Sequence, residues 1–194
     1  MLFRSAACKD LEIIWISDFA KAFEIDNGQS IDIIIMNNCY MQLFDNGYIL
    51  NNIAKYLVAP ESLMSDMSYD LTKLLQRINR NKRIQLDDLL DSIIYDFKKT
   101  GDAFLESTAL YANKLEAYKN VLQEFEKMVM ILVNNLTQYR PIVAQVLNDK
   151  INKFDPSGSL SLVDLNCLLK LIKEEIKNST FDKYYDNFLY LVTN

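Results

Sequence analysis

Histidine is absent from the 194 residues of this chain, so the usual proton shuttle near neutral pH is missing from any chemistry the polypeptide performs alone. Glycine and proline are scarce, at 4 and 3 residues, which disfavours a loop-rich design and favours long regular elements. Cysteine occurs only as Cys8, Cys39 and Cys167, an odd, widely spaced set that fits neither a disulfide framework nor a paired zinc site. No excess of basic residues exists: 21 Lys and Arg face 26 Asp and Glu for a net charge of −5. Nucleic acid is therefore not an expected partner. The longest apolar run, Met128–Val133, is far too short to span a bilayer, so no membrane span is expected. The first eight residues end like a lipoprotein cleavage box at Cys8 but leave no room for an apolar signal core. They read as a truncation or processing boundary.

What remains is an ordinary globular composition, 50% apolar and 24% charged, with length enough for one substantial core. Ser17 can cap a short helix through Phe23. After a turn cluster at 26–30, the β-branched run Ile31–Met36 suits a strand buried on both faces and stops at Asn37-Asn38-Cys39. Helical spacing follows from Leu43 to Ile53, then a second strand, Ala54–Pro60. Glu61–Tyr69 is a polar, methionine-rich loop long enough to be functional. Helices are expected at Asp70–Ile78 and Leu86–Lys99, and a third strand at Ala103–Leu110. Further helices follow over Lys114–Asn135, Val143–Phe154, Ser161–Lys177 and Phe181–Val192. Alternating strands and helices predict an α/β fold, a mostly parallel sheet covered by helices, with an added helical C-terminal region. The whole, 1–194, reads as a single domain: an N-terminal segment over 1–30, a sheet core over 31–115 and a mainly helical part over 116–194.

In open α/β sheets, functional side chains sit beyond the carboxyl ends of the strands. The end of Ile31–Met36 delivers Cys39 to that place, just before a helix whose dipole favours a thiolate. The competing reading is core filler, because cysteine is among the most buried residue types. That bland reading is adopted for Cys167, on the same helical side as Val163 and Leu171. It is adopted also for Trp15 among its isoleucines. Glu124, Glu126 and Lys127 read as a solvated helix surface, with the two carboxylates too poorly aligned for a metal.

Wider context favours the nucleophile. Ile31-Asp-Ile-Ile-Ile-Met-Asn-Asn-Cys-Tyr-Met-Gln42 resembles the clostripain family's apolar strand followed by Asp-x-Cys-Leu/Tyr-Met. Tyr56-Leu-Val-Ala-Pro-Glu61 is similar to that family's strand running into a substrate-pocket loop. Phe104–Leu115 and Ser161–Leu169 resemble two later segments in the same order, so the resemblance spans about Ile31 to Lys177. It implies a caspase-like fold and a Cys–His dyad that cleaves peptides after arginine or lysine through an acyl-enzyme. By match, Cys39 is the nucleophile and its own N–H faces the oxyanion, while Asn37, Ala59, Pro60 and Asp66 fall at the substrate pocket.

Two departures qualify what the resemblance implies. The family's pocket aspartate is Asn37 here, which accepts a hydrogen bond but brings no charge; Asp66 is the alternative source of that charge, or an ordinary loop carboxylate. The second is the missing histidine. An unassisted thiol, with a pKa of about 8.5, is only a few per cent thiolate at neutral pH. The leaving amine would also lack a general acid. Alone, the chain is expected to be nearly inactive. The implied partners are the N-terminal histidine-bearing chain of the same peptidase and a peptide substrate. The alternative is a catalytically inactive caspase-like pseudoenzyme serving as a scaffold. No cofactor or metal set is readable, although the resemblance allows a calcium requirement and an exported or cell-envelope address.

Overall fold

The computed structural model describes residues 2–3, 14–24, 30–62, 69–101, 109–151 and 162–193. These divide into two compact units, Met1–Tyr118 and Lys119–Asn194.

The first unit is built on a sheet of three strands, β3 (Ile31–Ile35), β4 (Ala54–Pro60) and β5 (Leu110–Lys114), in the order β3-β4-β5. A two-residue pair, β1 (Leu2–Phe3) and β2 (Ile14–Trp15), lies apart from it. Strands β3 and β4 run parallel, with Ile33 opposite Tyr56 and Ile35 opposite Val58. Strand β5 returns antiparallel, with Ala112 opposite Val58. The described sheet is thus mixed. The third strand also begins where the expected one ended: of Ala103–Leu110, only Ala109 and Leu110 are described, and the strand runs on to Lys114.

Helices cover both faces, and the period-two alternation of strand side chains dictates which. Ile34, Leu57 and Ala59 point into a core with Ile16 and Ala20 of α1 (Ile16–Glu24) and Leu50 of α2 (Phe44–Leu50). Their strand neighbours Ile33, Ile35, Tyr56 and Val58 point the other way. There they meet Leu74 of α3 (Leu71–Arg80) and Leu90 and Ile93 of α4 (Leu86–Gly101). Leu57, Val58 and Ala59 have no exposed area at all. Full burial of a leucine or valine side chain such as Leu57 or Val58 contributes about 1.5–3 kcal/mol. The central strand therefore anchors everything attached to its ends.

The second unit is helical: α5 (Tyr118–Asn134), which starts on the last residue of the first unit, then α6 (Leu136–Gln145), α7 (Leu165–Ile176) and α8 (Ser179–Thr193). Helix α6 starts well before the expected Val143 and carries Pro141 within it, continuing as a π turn over Val146–Lys150. Helix α7 is capped by Asp164, not Ser161: the Asp164 carboxylate accepts from the Cys167 N–H at 2.6 Å. It ends on Lys177 in the left-handed region (φ 48°), a position usually given to glycine. Asn178 then caps α8, its side-chain Oδ1 accepting from the N–H groups of Thr180 and Phe181 at 3.0 Å. Phe181 and Phe188, with Leu169 and Ile172, are buried in this unit. Among the described residues, no helix is long and apolar enough to cross a membrane.

Candidate active site

Strand β3 runs directly into the segment that carries Cys39. Met36 extends the ladder by one bond, its N–H donating to the Val58 carbonyl at 2.9 Å. Asn37 and Asn38 are exposed, and the chain reverses through Asn38, Cys39 and Tyr40. The returning limb is pinned to the end of β4: the Tyr40 N–H donates to the Ser62 carbonyl and the Gln42 N–H to the Pro60 carbonyl, both at 3.0 Å. The Glu61 N–H in turn donates to the Ala109 carbonyl at 3.2 Å, tying that end to the chain entering β5. Below the loop, the buried Asn46 amide donates to the Met41 carbonyl at 2.8 Å. Met41 itself is packed in the core. Cys39 is thus half-buried on a turn held from both sides, and it is not part of a disulfide.

The turn carries strain. Tyr40 has φ 58°, the left-handed region, where an ordinary side chain costs about 1–2 kcal/mol. Its ring is buried at 6% exposure, so packing and the Ser62 bond hold it there. Strain of this kind collects at functional sites because only a strongly determined surround can keep it.

One expectation is corrected. Cys39 does not stand at a helix N-terminus: α2 begins at Phe44, with Leu43 at its cap, and the reversal at Asn38–Tyr40 takes up the intervening residues. The strand end and the turn position the thiol, not a helix dipole. A second correction concerns Cys167, which is exposed on the first turn of α7 and is not core filler. The Asp164 carboxylate beside it, by hydrogen bond and by charge, pushes its thiol above the ordinary range.

Of the residues expected at a substrate pocket, Asn37 lies on the exposed face of the loop two positions before Cys39. Ala59 and Pro60 are enclosed. Their side chains face the interior, and the Pro60 carbonyl pins the returning limb of the loop. Asp66 lies outside the described residues. Two residues that sequence reasoning passed over, Tyr40 and Gln42, shape the turn; the sequence carries no glycine there to signal a left-handed conformation. Among the described residues, no three His, Cys, Asp or Glu side chains gather into a metal-binding group.

The described residues thus form a helix-covered α/β sheet with a thiol on a turn beyond the end of a parallel strand. The chain belongs to the clostripain family, whose model matches residues 7–191. Three solved structures share the fold. A B. fragilis cysteine protease aligns with a TM-score of 0.57 at 13% identity, covering 97% of this chain and 74% of that one. A clostripain from Bacteroides thetaiotaomicron in complex with the peptide inhibitor BTN-VLTK-AOMK aligns at 0.56 and 14% identity, covering 96% and 75%. An inactive zymogen C11 protease from Parabacteroides distasonis aligns at 0.57 and 12% identity, covering 87% of this chain but only 45% of that one. A comparison with curated proteins returns no match.

Proposed function

We propose that this chain is the cysteine-bearing part of a clostripain-type endopeptidase that cleaves after basic residues, with Cys39 as nucleophile and the histidine supplied by an N-terminal portion of the same peptidase. The observation that carries the reading is the pinned, strained turn that holds a half-buried Cys39 beyond the end of β3. Such a turn fixes a nucleophile in one place, and fixed placement is what converts binding into rate.

The chemistry follows from what the chain has and lacks. The partner's imidazole takes the Cys39 proton, and the thiolate sulfur attacks the scissile carbonyl. Negative charge then gathers on the carbonyl oxygen, where the Cys39 N–H is the donor offered by this chain. Collapse expels the amine, which leaves with the proton held by the imidazolium. Water then hydrolyses the thioester with the imidazole as base and regenerates the thiol. With no histidine in the sequence, this polypeptide alone supplies neither the base nor the acid.

The sheet gives that partner a place to add. Among the described residues β3 has one strand neighbour, β4, so its other edge offers main-chain groups to an added strand. For a basic side chain, Asn37 offers a carbonyl acceptor in place of a carboxylate. The test is co-expression with the histidine-bearing portion and assay on lysyl, arginyl and neutral peptides. Cleavage after basic residues supports the reading. A complex that assembles yet cleaves none of them contradicts it and favours the scaffold alternative, to which the absent histidine and Asn37 also point.

A further inference from the structure

Gln42 closes the Cys39 loop, and its side-chain amide is enclosed with neither Nε2 nor Oε1 hydrogen-bonded. Such an amide has given up its bonds to water and gained none in return, and native proteins keep few groups in that state. The neighbouring Asn46 amide reaches the Met41 carbonyl at 2.8 Å, and the Gln42 main chain reaches Pro60 at 3.0 Å. The unbonded amide lies three residues from the thiol, in the loop that also holds Tyr40 at φ 58°.

We propose that Gln42 is a positioning residue whose amide is paired by the main chain of the histidine-bearing portion when the site is completed; this rests on the proposed function above. An amide side chain offers donors on one atom and an acceptor on the other, which matches the N–H and C=O of a peptide backbone. A diffusing substrate is the poorer occupant, because a group that reads substrate must face the solvent the substrate arrives from, and both Gln42 atoms are enclosed. An assembling chain can restructure the surface it meets. Strand β3, whose outer edge would receive the added strand, leads into this loop. Pairing Gln42 removes the cost of its unbonded amide at the moment of assembly. Docking of the histidine is thereby coupled to firm placement of the cysteine.

The experiment compares the wild-type chain with Gln42→Met, which keeps side-chain length and removes hydrogen bonding. In the free chain Gln42→Met should melt a few degrees higher, since an unsatisfied buried group has gone. In the assembled complex, at saturating partner, the maximal rate of Cys39 labelling by a lysyl peptide electrophile should fall about tenfold, the scale of one well-made hydrogen bond. The half-saturating electrophile concentration should stay unchanged, a split that general destabilisation would not produce. A melting point that fails to rise means the amide already has a partner, such as a trapped water, and overturns the inference. So does unchanged labelling in an assembled variant. If the wild type itself assembles but does not label, the proposed function has failed, not the role of Gln42 alone.

Discussion

Cys39 and Cys167 stand in opposite settings, one in each compact unit. Cys39 sits on a turn at the end of a parallel strand, half-enclosed and held by main-chain bonds to the neighbouring strand's end. Cys167 sits exposed in the first turn of a helix, the position that favours a thiolate in principle. There the capping carboxylate of Asp164 outweighs the dipole and raises the thiol. The contrast teaches that a helix start does not make a reactive cysteine when an aspartate caps it. At Cys39 the strand end fixes the backbone instead, and α2 starts only at Phe44.

The sharpest way to break this contrast is to remove each sulfur in turn. In the complex with the histidine-bearing portion, Cys39→Ala should abolish peptide cleavage, whereas Cys167→Ala should change kcat/KM by less than about twofold, as expected for a group outside the site. Loss of activity in both would place the chemistry elsewhere.

Next in size is a test of the packing behind the Cys39 turn. A Cβ built on Gly47 would lie 2.2 Å from Cε1 and Cζ of the Tyr118 ring. Tyr118 is held in turn by Asn113, whose amide donates to its hydroxyl at 3.1 Å. Gly47→Ala should therefore destabilise the sheet unit by about 1–3 kcal/mol, read by urea denaturation, and leave the intrinsic stability of the helical unit unchanged. A neutral result would mean that the ring yields freely.

Charge at the pocket comes third. Asn37→Asp should raise kcat/KM for lysyl and arginyl peptides by roughly tenfold, since hydrogen bonds to an ionised acceptor are worth about twice those to a neutral one. No preference for basic over neutral peptides after this change would remove Asn37 from the specificity site.

At Cys167 the expected change is in rate. Asp164→Asn keeps a capping side chain and removes the charge that raises the thiol. Alkylation of Cys167 at mildly alkaline pH should speed up, with the chain's melting temperature nearly unchanged. The smallest effect lies in the helical unit. Glu124 is held below the usual carboxylate range, chiefly by its hydrogen bond from Lys127 at 2.5 Å and also by Asn187. A lowered folded-state pKa means its contribution is fully present above the unfolded value of about 4.3 and is lost as pH falls through the lowered one. Glu124→Gln should flatten the acid limb of the stability profile slightly; an unchanged limb would show the pair to be idle.

Much of the sheet was legible in the sequence. Ala54–Pro60 was bounded correctly because proline stops a strand where its missing donor matters. Ile31–Met36 was nearly so, because its β-branched run has no helical period. The strand at 110–114 was missed because Leu-Tyr-Ala-Asn-Lys lacks β-branched residues and draws its pairing from β4. The helix after Cys39 was read from Leu43 and begins at Phe44; the reversal between them stayed hidden because a tyrosine in the left-handed region leaves no local sign. Cys167 was placed in the core because a three-residue error in the cap displaced the helix start from which its face was judged. At the candidate site, Cys39 was singled out from its position and from family resemblance, and the structure sets it on the turn after β3. The enclosed Gln42 amide is a property of three-dimensional packing and has no counterpart in the sequence.

The central claim is that Cys39 becomes a nucleophile only when a histidine joins it. Intact-mass spectrometry after exposure to a lysyl peptide electrophile, with and without the histidine-bearing portion, tests it most directly. The account predicts a single adduct on the peptide containing Cys39 in the complex and almost none on the chain alone. Equal labelling in both samples, or an adduct on Cys167 instead, would contradict it.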